Sequence, residues 1–385
     1  MRFFLTGATG FLGREVLVRL LQQGHPVLVL SRPKPGEDED ALAQRLRAVV
    51  EHTAPGTSTA TMTVASGDIR APQLGLSERG LRFLNDPIGP IQVVHGAAEV
   101  RFDLPYPEMR RQNVDGTLAV LALARRLADE GRLHRFDHVS TAYVAGDRSG
   151  LALETEVDVG QRCRNDYERT KLEAEVQLAQ ARAEGLPLTV HRPSIIVGDS
   201  RTGKASSFKV LYWPLKLYAR GRFRTVFGRP DCTIDVVPVD YVADAMLALF
   251  GMPAATGRIV HLTAGPERQS TIADLVALTE RIYQGKPVRY LDPDFYFRWL
   301  RPFLRPLLLL LRPDVAERGG VYLPYLKANP SFDVTFASEL LGPQGLSPPL
   351  VDSYWEVILR YARDSNFGSQ RALASGITPD RPTGS

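Results

Sequence analysis

The feature that most constrains the fold is a glycine-rich turn between a predicted strand and a predicted helix. Residues 2–6 form a short apolar run typical of a buried strand, and apolar residues with helical spacing begin at Phe11. Gly7, Gly10 and Gly13 lie between them. Such glycines permit a tight bend, close approach of a pyrophosphate and close helix packing. A dinucleotide site is therefore predicted at the helix N-terminus; a turn without a ligand is the alternative.

The residues after the second predicted strand indicate which dinucleotide is bound. This strand is predicted at 27–30, and Ser31 and Arg32 follow it. A protein that binds NAD commonly has Asp or Glu here, which binds the ribose 2′-hydroxyl. A guanidinium can instead pair with the 2′-phosphate of NADP. Arg32 therefore favours NADP, unless it is a solvated loop charge.

Strand and helix patterns alternate from the first residues to about residue 200. Further strands are predicted at 61–66, 91–95, 136–140 and 188–191, and helices at 11–21, 37–50, 109–128 and 166–184. This alternation predicts an α/β fold, a Rossmann-type doubly wound parallel sheet that binds ligands at the carboxyl ends of its strands. Gly96, Ala97 and Ala98 follow one such strand, and their small size leaves room for a cofactor.

Two residues on the predicted helix at 166–184 form a candidate proton-transfer pair. Tyr167 and Lys171 are four residues apart, so they share one face of the helix. The pKa of a free tyrosine is about 10, and a neighbouring ammonium or a positive nicotinamide ring would lower it. The strand at 136–140 ends in Ser140 and Thr141, and a hydroxyl at this place would hydrogen-bond a substrate carbonyl. The alternative for the Tyr–Lys pair is an ordinary solvated helix face.

Six motifs together resemble the extended short-chain dehydrogenase/reductases. They are TGATGFLG at 6–13, GD at 67–68, HGAA at 95–98, NVDGT at 113–117, STAYVAG at 140–146 and YERTK at 167–171. The resemblance implies that Thr141 is the catalytic hydroxyl and that Tyr167 is the proton donor. It also implies that Lys171 assists the tyrosine and binds the nicotinamide ribose, and that Asn113 completes a proton relay.

The same resemblance implies a set of residues that bind the cofactor, NADP or NADPH. Asp68 and Ile69 are expected in the adenine pocket, and the backbone of residues 191–198 is expected to meet the nicotinamide carboxamide. The complete set is Thr6, Gly7, Gly10, Phe11, Leu12, Gly13, Arg32, Asp68, Ile69, Gly96, Ala97, Ala98, Lys171, Pro193, Ser194 and Ile196. No metal site is expected, because the sequence has no metal-type cluster of Cys and His residues.

Longer strings resemble a narrower branch, the fatty acyl-CoA reductases and the thioester reductase domains of carboxylic acid reductases and peptide synthetases. They are HGAAEVRFD at 95–103, FDHVSTAYVAG at 136–146, TKLEAE at 170–175, RPSIIVGDSRTG at 192–203, DVVPVDYVADAM at 235–246 and YLPYLKANPSFD at 322–333. This resemblance implies an NADPH-dependent reductase that converts an acyl thioester, on CoA or on a carrier protein, to an aldehyde or an alcohol.

Other functions are compatible with the same motifs. A reductase of free ketones or aldehydes, or a sterol-type alcohol dehydrogenase, would keep the three site residues and differ only in its pocket. An epimerase or dehydratase would use the same fold with tightly bound NAD, against which Arg32 argues. A non-catalytic nucleotide-binding protein would not need Thr141, Tyr167 and Lys171.

The chain is predicted to divide into a cofactor domain and a smaller lobe. Residues 1–200 are assigned to the NADP-binding domain and 201–368 to a mostly helical substrate lobe, with 235–265 returning to the core and 369–385 as a disordered tail. Residues 200–230 contain eight Lys or Arg and no acid. This basic, aromatic stretch is predicted either to hold the phosphates of CoA or an acidic carrier protein, or to have its aromatic residues packed in a lid and its arginines solvated. Nucleic acid is not expected, because no binding motif accompanies the charge.

The segment 295–314 combines arginines on one helical face with aromatic residues and leucines. It is predicted to close an apolar pocket or to lie in a membrane interface, although its prolines interrupt a regular helix. The sequence has only two cysteines, no signal-peptide pattern and no run of about 20 apolar residues. A cytoplasmic location is therefore expected, and peripheral membrane contact and a homodimer stay open.

Overall fold

The chain forms two compact units in a computed structural model that describes residues 1–101, 104–208, 211–221, 224–295, 298–299 and 323–368. Unit 1 comprises Met1–Ser194, Val239–Pro266 and Pro330–Pro348. Unit 2 comprises the described parts of Ile195–Pro238, Glu267–Asn329 and Pro349–Ser385. Each unit is therefore assembled from segments that are distant in the sequence.

A seven-stranded parallel sheet forms the centre of unit 1 within the described residues. Its strands are β1 (Arg2–Thr6), β2 (Val27–Ser31), β3 (Met62–Ser66), β4 (Ile91–His95), β5 (Leu133–Val139), β7 (Leu188–Pro193) and β12 (Ile259–Leu262). They lie in the order β12-β7-β5-β4-β1-β2-β3, and all neighbours are parallel. The strand order reverses between β1 and β4, which confirms the predicted doubly wound sheet.

The helices of unit 1 flank this sheet and follow the predicted alternation. They are α1 (Phe11–Gln22), α2 (Glu39–Thr53), α3 (Glu78–Asn85), α4 (Tyr106–Arg110), α5 (Gly116–Asp129), α6 (Asp166–Ala183), α8 (Val239–Phe250) and α11 (Thr335–Leu341). Gly24 follows α1 with φ +74°, as expected for a glycine that ends a helix. The apolar faces of α5 and α6 pack on the sheet with residues such as Phe4, Val93 and Phe136, all fully buried.

A buried polar network crosses one face of the sheet. The carboxylate of Asp137 on β5 accepts hydrogen bonds from Gln92 Nε2 (2.7 Å) and Arg135 Nε (3.1 Å), and lies 2.8 Å from His191 Nε2. The guanidinium of Arg135 also donates to the carbonyl oxygens of Leu249 (2.8 Å) and Met252 (3.0 Å), at the end of α8 and just after it. Arg135 and Asp137 are at most 1% exposed, so this ion pair is shielded from water.

The segment Pro330–Pro348 packs in unit 1, whereas the sequence places it in the substrate lobe. Its strand β15 (Ser331–Phe332) pairs in parallel with β6 (Leu151–Ala152). The carboxylate of Glu154 then accepts hydrogen bonds from the backbone N–H groups of Phe336 (2.5 Å) and His261 (2.7 Å). The segment is held by backbone pairing and by this carboxylate, neither of which leaves a local sequence signal.

Unit 2 is built from short strand pairs and helices. β8 (Ile195–Val197) pairs with β11 (Val236–Pro238), β9 (Thr225–Phe227) with β14 (Arg289–Leu291), and β10 (Thr233–Ile234) with β13 (Ser270–Thr271). The helices are α7 (Tyr212–Ala219), α9 (Ile272–Tyr283), α10 (Pro293–Phe295) and α12 (Val351–Asp364). Trp355 of α12 is 1% exposed and donates its indole N–H to Thr279 Oγ1 of α9 (3.1 Å). The two helices therefore share a buried contact.

The basic, aromatic stretch at 200–230 is partly internal to unit 2. Phe208 packs against the rings of Tyr212, Tyr361 and Phe367 at centroid distances of 5.0–6.4 Å. Arg229 lies 3.5 Å from a carboxylate oxygen of Asp294. These contacts support a packed role for part of the stretch, while Lys204, Arg220 and Arg224 are exposed.

Two predicted features lie largely outside the described residues. They are the segment at 295–314 and the tail at 369–385. Among the residues that the structure does describe, no helix is both long and apolar enough to cross a bilayer.

Candidate active site

The predicted glycine turn connects β1 to α1 at the carboxyl edge of the sheet. Gly7 has φ +81°, and a Cβ there would lie 2.5 Å from the carbonyl carbon of Gly96. A Cβ on Gly13 would collide with the carbonyl oxygen of Gly7. Gly10 is the N-cap residue of α1 and provides no side-chain cap, so the first N–H groups of the helix, including those of Phe11 and Leu12, lack one. The turn thus has the close approach and the uncapped helix N-terminus that suit a pyrophosphate.

A directed hydrogen-bond chain connects this turn to the middle of the site. Thr6 Oγ1 accepts from the backbone N–H of Ala97 (3.2 Å) and lies 2.7 Å from His95 Nδ1. On the other side of the ring, His95 Nε2 lies 3.1 Å from Thr117 Oγ1, which donates to the carbonyl oxygen of Asn113 (2.6 Å). The hydroxyl of Thr117 donates its hydrogen to Asn113, so it can only accept from His95 Nε2. The ring therefore carries its proton on Nε2, and Nδ1 accepts a hydrogen bond from the Thr6 hydroxyl.

Asn113 lies in a π-helical turn, Arg111–Asp115, that interrupts the helix predicted at 109–128. Its Oδ1 accepts from the backbone N–H of Glu99 (2.7 Å), and its Nδ2 donates to Glu99 O (3.0 Å) and to Thr170 Oγ1 (3.1 Å). The side chain therefore ties the loop after β4 to α6. π turns of this kind often occur at functional sites, and the relay role of Asn113 stays a prediction.

Lys171 is anchored to the neighbouring strand β5. Its Nζ donates to the carbonyl oxygen of Val139 (2.6 Å) and lies 3.1 Å from Nε2 of His138. The side chain is 2% exposed. Burial lowers the pKa of Lys171 to about 8, and the opposing charge of Glu175 prevents a larger decrease. The ammonium thus lies at the carboxyl end of β5, because Val139 is the last residue of that strand and precedes Thr141 by two positions.

Tyr167 lies in the first turn of α6, one helical turn from Lys171. Asn165 is the N-cap residue of this helix, and its side chain accepts from the backbone N–H of Glu168 (2.9 Å) and so stabilises this turn. Burial, followed by the negative charge of Glu168, raises the pKa of Tyr167 well above its ordinary value. The phenol of the chain alone is therefore a protonated donor. The lowering of this pKa by a neighbouring ammonium and a positive nicotinamide ring stays a prediction.

Thr141 is buried at the carboxyl end of β5. It is the N-cap residue of a 3₁₀ turn, Ala142–Ala145, and its Oγ1 accepts from the backbone N–H of Tyr143 (3.2 Å). This bond leaves the hydroxyl proton available for a substrate oxygen. Helix α6 contacts the same turn, so the structure brings the predicted threonine, tyrosine and lysine to one region of the sheet edge.

Charged residues surround the carboxyl ends of β2 and β3, where the sequence places the adenosine half of the cofactor. Arg32 is 57% exposed and lies 3.9 Å from Asp68. Arg70 donates to both carboxylate oxygens of Asp68 (2.6 and 3.0 Å). These bonds, ahead of the opposing effect of burial, lower the pKa of Asp68. Arg45 donates to the carbonyl oxygen of Arg32 (3.0 Å) and steadies its loop.

The remaining predicted cofactor residues occupy four positions. Ile69 is 5% exposed and packs directly under Gly116 of α5. Pro193 ends β7, and Ser194 is the buried residue that follows it, both in unit 1. Ile196 belongs to unit 2, where it pairs with Val237. Gly96, Ala97 and Ala98 follow β4, and Gly96 N donates to Thr6 O (3.2 Å).

Several residues of the site are not predicted from the sequence. His95 and His138 are register partners on β4 and β5, and their rings lie 5.3 Å apart. A polar residue inside an apolar strand pattern is the signal that would have found them. Arg70 follows Asp68 by two residues, a spacing that is common in loops and carries little information.

Metal and disulfide chemistry find no support in the described residues. No group of three or more His, Cys, Asp or Glu residues there is arranged to hold a metal ion. Cys163 and Cys232 form no disulfide, and burial raises the pKa of Cys163 to about 11.

Fold and site together define an oxidoreductase of the extended short-chain dehydrogenase/reductase class with a nicotinamide cofactor. The glycine turn, the uncapped helix α1 and the hydroxyl–tyrosine–lysine set at the sheet edge all fit such a cofactor. The profile of an NAD-binding family described as male sterility protein matches residues 5–246. The chain belongs to this family.

The relatives that the chain matches include two reductases. A fatty acyl-CoA reductase of Drosophila melanogaster is 29% identical over 280 residues, 64% of this chain and 53% of that protein. A carboxylic acid reductase of Segniliparus rugosus is 30% identical over 362 residues, 84% of this chain and 28% of that protein. The chain thus spans about half of one relative and less than a third of the other. The crystal structure of the terminal R domain from the myxalamid PKS-NRPS biosynthetic pathway superposes with a TM-score of 0.78 at 28% identity, covering 95% of this chain and 91% of that one.

Proposed function

We propose that the chain is an NADPH-dependent reductase of acyl thioesters, carried by CoA or by a carrier protein, that yields an aldehyde or an alcohol. The observation that carries the proposal is the placement of Thr141, Tyr167 and a buried Lys171 at the carboxyl edge of a sheet whose first helix is uncapped. The names of the matched relatives support the acyl substrate, because they include reductases of fatty acyl-CoA and of carboxylic acids.

The proposed roles follow from the state of each side chain. The Thr141 hydroxyl and the protonated Tyr167 phenol donate hydrogen bonds to the substrate carbonyl oxygen and stabilise the negative charge that develops there. The bound cofactor supplies the hydride that adds to the carbonyl carbon. Tyr167 transfers its proton to the oxygen, which gives a hemithioacetal. Cleavage of its C–S bond releases the thiol and leaves the aldehyde.

Lys171 and the charged loops complete the proposed site. The Lys171 ammonium lies one helical turn from the tyrosine, where its charge stabilises the tyrosinate that remains after proton transfer. The glycine turn with Phe11 and Leu12 would hold the pyrophosphate, and Arg32 would hold the 2′-phosphate. Asp68 would contact the adenosine through lone pairs of its carboxylate oxygens that do not accept from Arg70.

Arg32→Ala is expected to weaken NADPH binding by about ten- to a hundredfold and to leave NADH binding unchanged. The reason is that a hydrogen bond to a charged phosphate is lost, and such bonds contribute about 1.5–3 kcal/mol. Dissociation constants of both cofactors, measured by fluorescence titration, check this. Arg47→Ala is the matched control, because Arg47 is an exposed cation on α2. An equal loss for NADPH and NADH would show that Arg32 does not select the 2′-phosphate.

The substrate assignment predicts NADPH consumption with acyl thioesters. Purified protein is given a series of acyl-CoAs, the same acyl groups on a carrier protein, and free ketones and aldehydes, and the products are identified by mass. We expect turnover of the thioesters and formation of aldehyde or alcohol with release of one thiol per acyl group. A KM for acyl-CoA that rises with salt would indicate phosphate contacts, since salt screens them.

The alternatives give different results in the same assay. Turnover of ketones but not of any thioester would make the chain a ketone reductase and end the thioester proposal. Binding of NADPH without turnover of any carbonyl would favour a non-catalytic nucleotide-binding protein. Conversion without net NADPH consumption would indicate an epimerase or dehydratase.

A further inference from the structure

His138 is a buried imidazole in direct contact with the candidate catalytic lysine. It lies on β5, and its Nε2 is 3.1 Å from Nζ of Lys171 on α6. His138 is 0% exposed and Lys171 is 2% exposed, so water does not compete for this hydrogen bond. His138 lies in the string FDHVSTAYVAG that carries part of the resemblance described above, but the resemblance assigns no role to this residue.

The direction of the hydrogen bond follows from the chemistry of the two groups. An ammonium only donates, so His138 Nε2 is the acceptor and the neutral ring carries its proton on Nδ1. Lys171 also donates to Val139 O at 2.6 Å. These two bonds use two of the three N–H donors of the ammonium. One donor remains, and its direction is determined by the two that are anchored to β5.

The second ring nitrogen of His138, Nδ1, indicates that packing alone does not explain why a histidine occupies this position. Among the residues that the structure describes, His138 Nδ1 has no hydrogen-bond partner. A buried polar group without a partner destabilises a fold, and an apolar ring of similar shape would avoid that cost. The acceptor at Nε2 is therefore the property that distinguishes His138 from phenylalanine at this position.

The surroundings keep the ring neutral. Burial, followed by the positive charge of Lys171, holds the pKa of His138 well below its ordinary value. His95 faces the ring from β4, and burial lowers its own pKa to about 3. His191 acts on it from β7, and Glu175 of α6 acts on the neighbouring Lys171. The imidazole thus remains an acceptor at any pH near neutrality.

We propose that His138 is a positioning residue that holds the Lys171 ammonium through Nε2 and so determines where its last N–H donor points. The inference rests on the proposed reductase function, in which Lys171 serves Tyr167 and the cofactor. It adds a residue from β5 to a site otherwise built from hydroxyl, phenol and ammonium groups.

The hydrogen bond between Lys171 and His138 affects the pH dependence of the reaction. Burial already lowers the pKa of Lys171 to about 8, and an acceptor bond stabilises the charged form. Removal of that acceptor lowers this pKa further, so Lys171 loses its proton at a lower pH. The alkaline limb of the profile of kcat/KM against pH should then move about one to two units towards acid.

Three variants test this. His138→Gln places a carbonyl oxygen near the position of Nε2, His138→Asn places its amide only near Nδ1, and His138→Phe has no acceptor. We expect the alkaline limb to stay in place in His138→Gln and to move to lower pH in His138→Asn and His138→Phe. The dissociation constant of NADPH, measured against pH without substrate, should follow the same order, because the last Lys171 donor would bind the cofactor.

The outcomes separate this inference from the proposed function. The profile is measured with whichever carbonyl compound the wild type reduces, so failure with thioesters does not affect it. If the limb stays in place in all three variants, or moves equally in Gln and Asn, the positioning role is wrong. Thermal unfolding identifies variants that do not fold, and the Gln–Asn comparison decides the matter even if Phe fails.

Discussion

Replacing Tyr167 with phenylalanine is expected to lower kcat for carbonyl reduction by about two to four orders of magnitude. The variant keeps the ring and loses only the hydroxyl that would protonate the substrate oxygen. Burial and Glu168 keep the phenol protonated at neutral pH, so the wild-type side chain is ready to donate. The NADPH dissociation constant should change little, because the glycine turn and Arg32 carry that binding.

Tyr106→Phe is the matched control for this variant. Tyr106 lies near the same helix, and its hydroxyl donates to Glu173 of α6 (2.9 Å) rather than to any group of the site. We expect Tyr106→Phe to keep the wild-type rate constant of NADPH oxidation in a single-turnover assay. If both phenylalanine variants turned over at similar rates, Tyr167 would not be the proton donor.

The site depends on the sheet for its rigidity. Val139 O and His138 hold Lys171 against β5, and Asn113 connects the loop after β4 to Thr170 of α6. The helix that carries Tyr167 is thus attached to two neighbouring strands. Groups held in this way need little reorganisation when charge develops on a substrate, which is the main source of electrostatic catalysis.

The fold was predictable from the sequence because its elements are specified by local patterns. β1 and β4 begin and end at the predicted residues, since a buried strand needs a continuous apolar run. The glycines of the turn are required by close backbone approach, and that requirement is visible in the residue types themselves. The same holds for Tyr167 and Lys171, which share a face because helical spacing dictates it.

Contacts between distant segments were not predictable. His138 meets Lys171 across thirty-three positions of sequence separation, and only the packing of α6 on β5 brings them together. The π turn at Arg111–Asp115 leaves the helical apolar pattern almost unchanged, so the sequence predicts one regular helix there. The burial of Tyr167 and its closeness to Glu168, which raise its pKa, depend on tertiary packing and are not visible in the helical spacing.

The largest effect on stability is expected at the buried ion pair of the sheet. Asp137→Asn removes the charge that balances Arg135, and an uncompensated buried charge costs about 3–5 kcal/mol. Arg135→Met should also destabilise the fold, because the carbonyl oxygens of Leu249 and Met252 lose their donor. Urea unfolding of the full chain measures both.

The double variant tests whether the effect comes from charge. Arg135→Met combined with Asp137→Asn leaves no unpaired charge, so its destabilisation should be smaller than the sum of the two single effects. Glu184→Gln, which breaks the exposed pair with Arg125, should leave the midpoint of unfolding in place.

Burial alone would raise the pKa of Asp137, but the hydrogen bond from His191 and the charge of Arg135 lower it. The network therefore stabilises the fold above the ordinary carboxyl pKa, and this stabilisation should be lost as the pH falls through the lowered value. Equal pH dependence of wild type and Asp137→Asn in that acid range would show that the carboxylate of Asp137 is not the group that titrates.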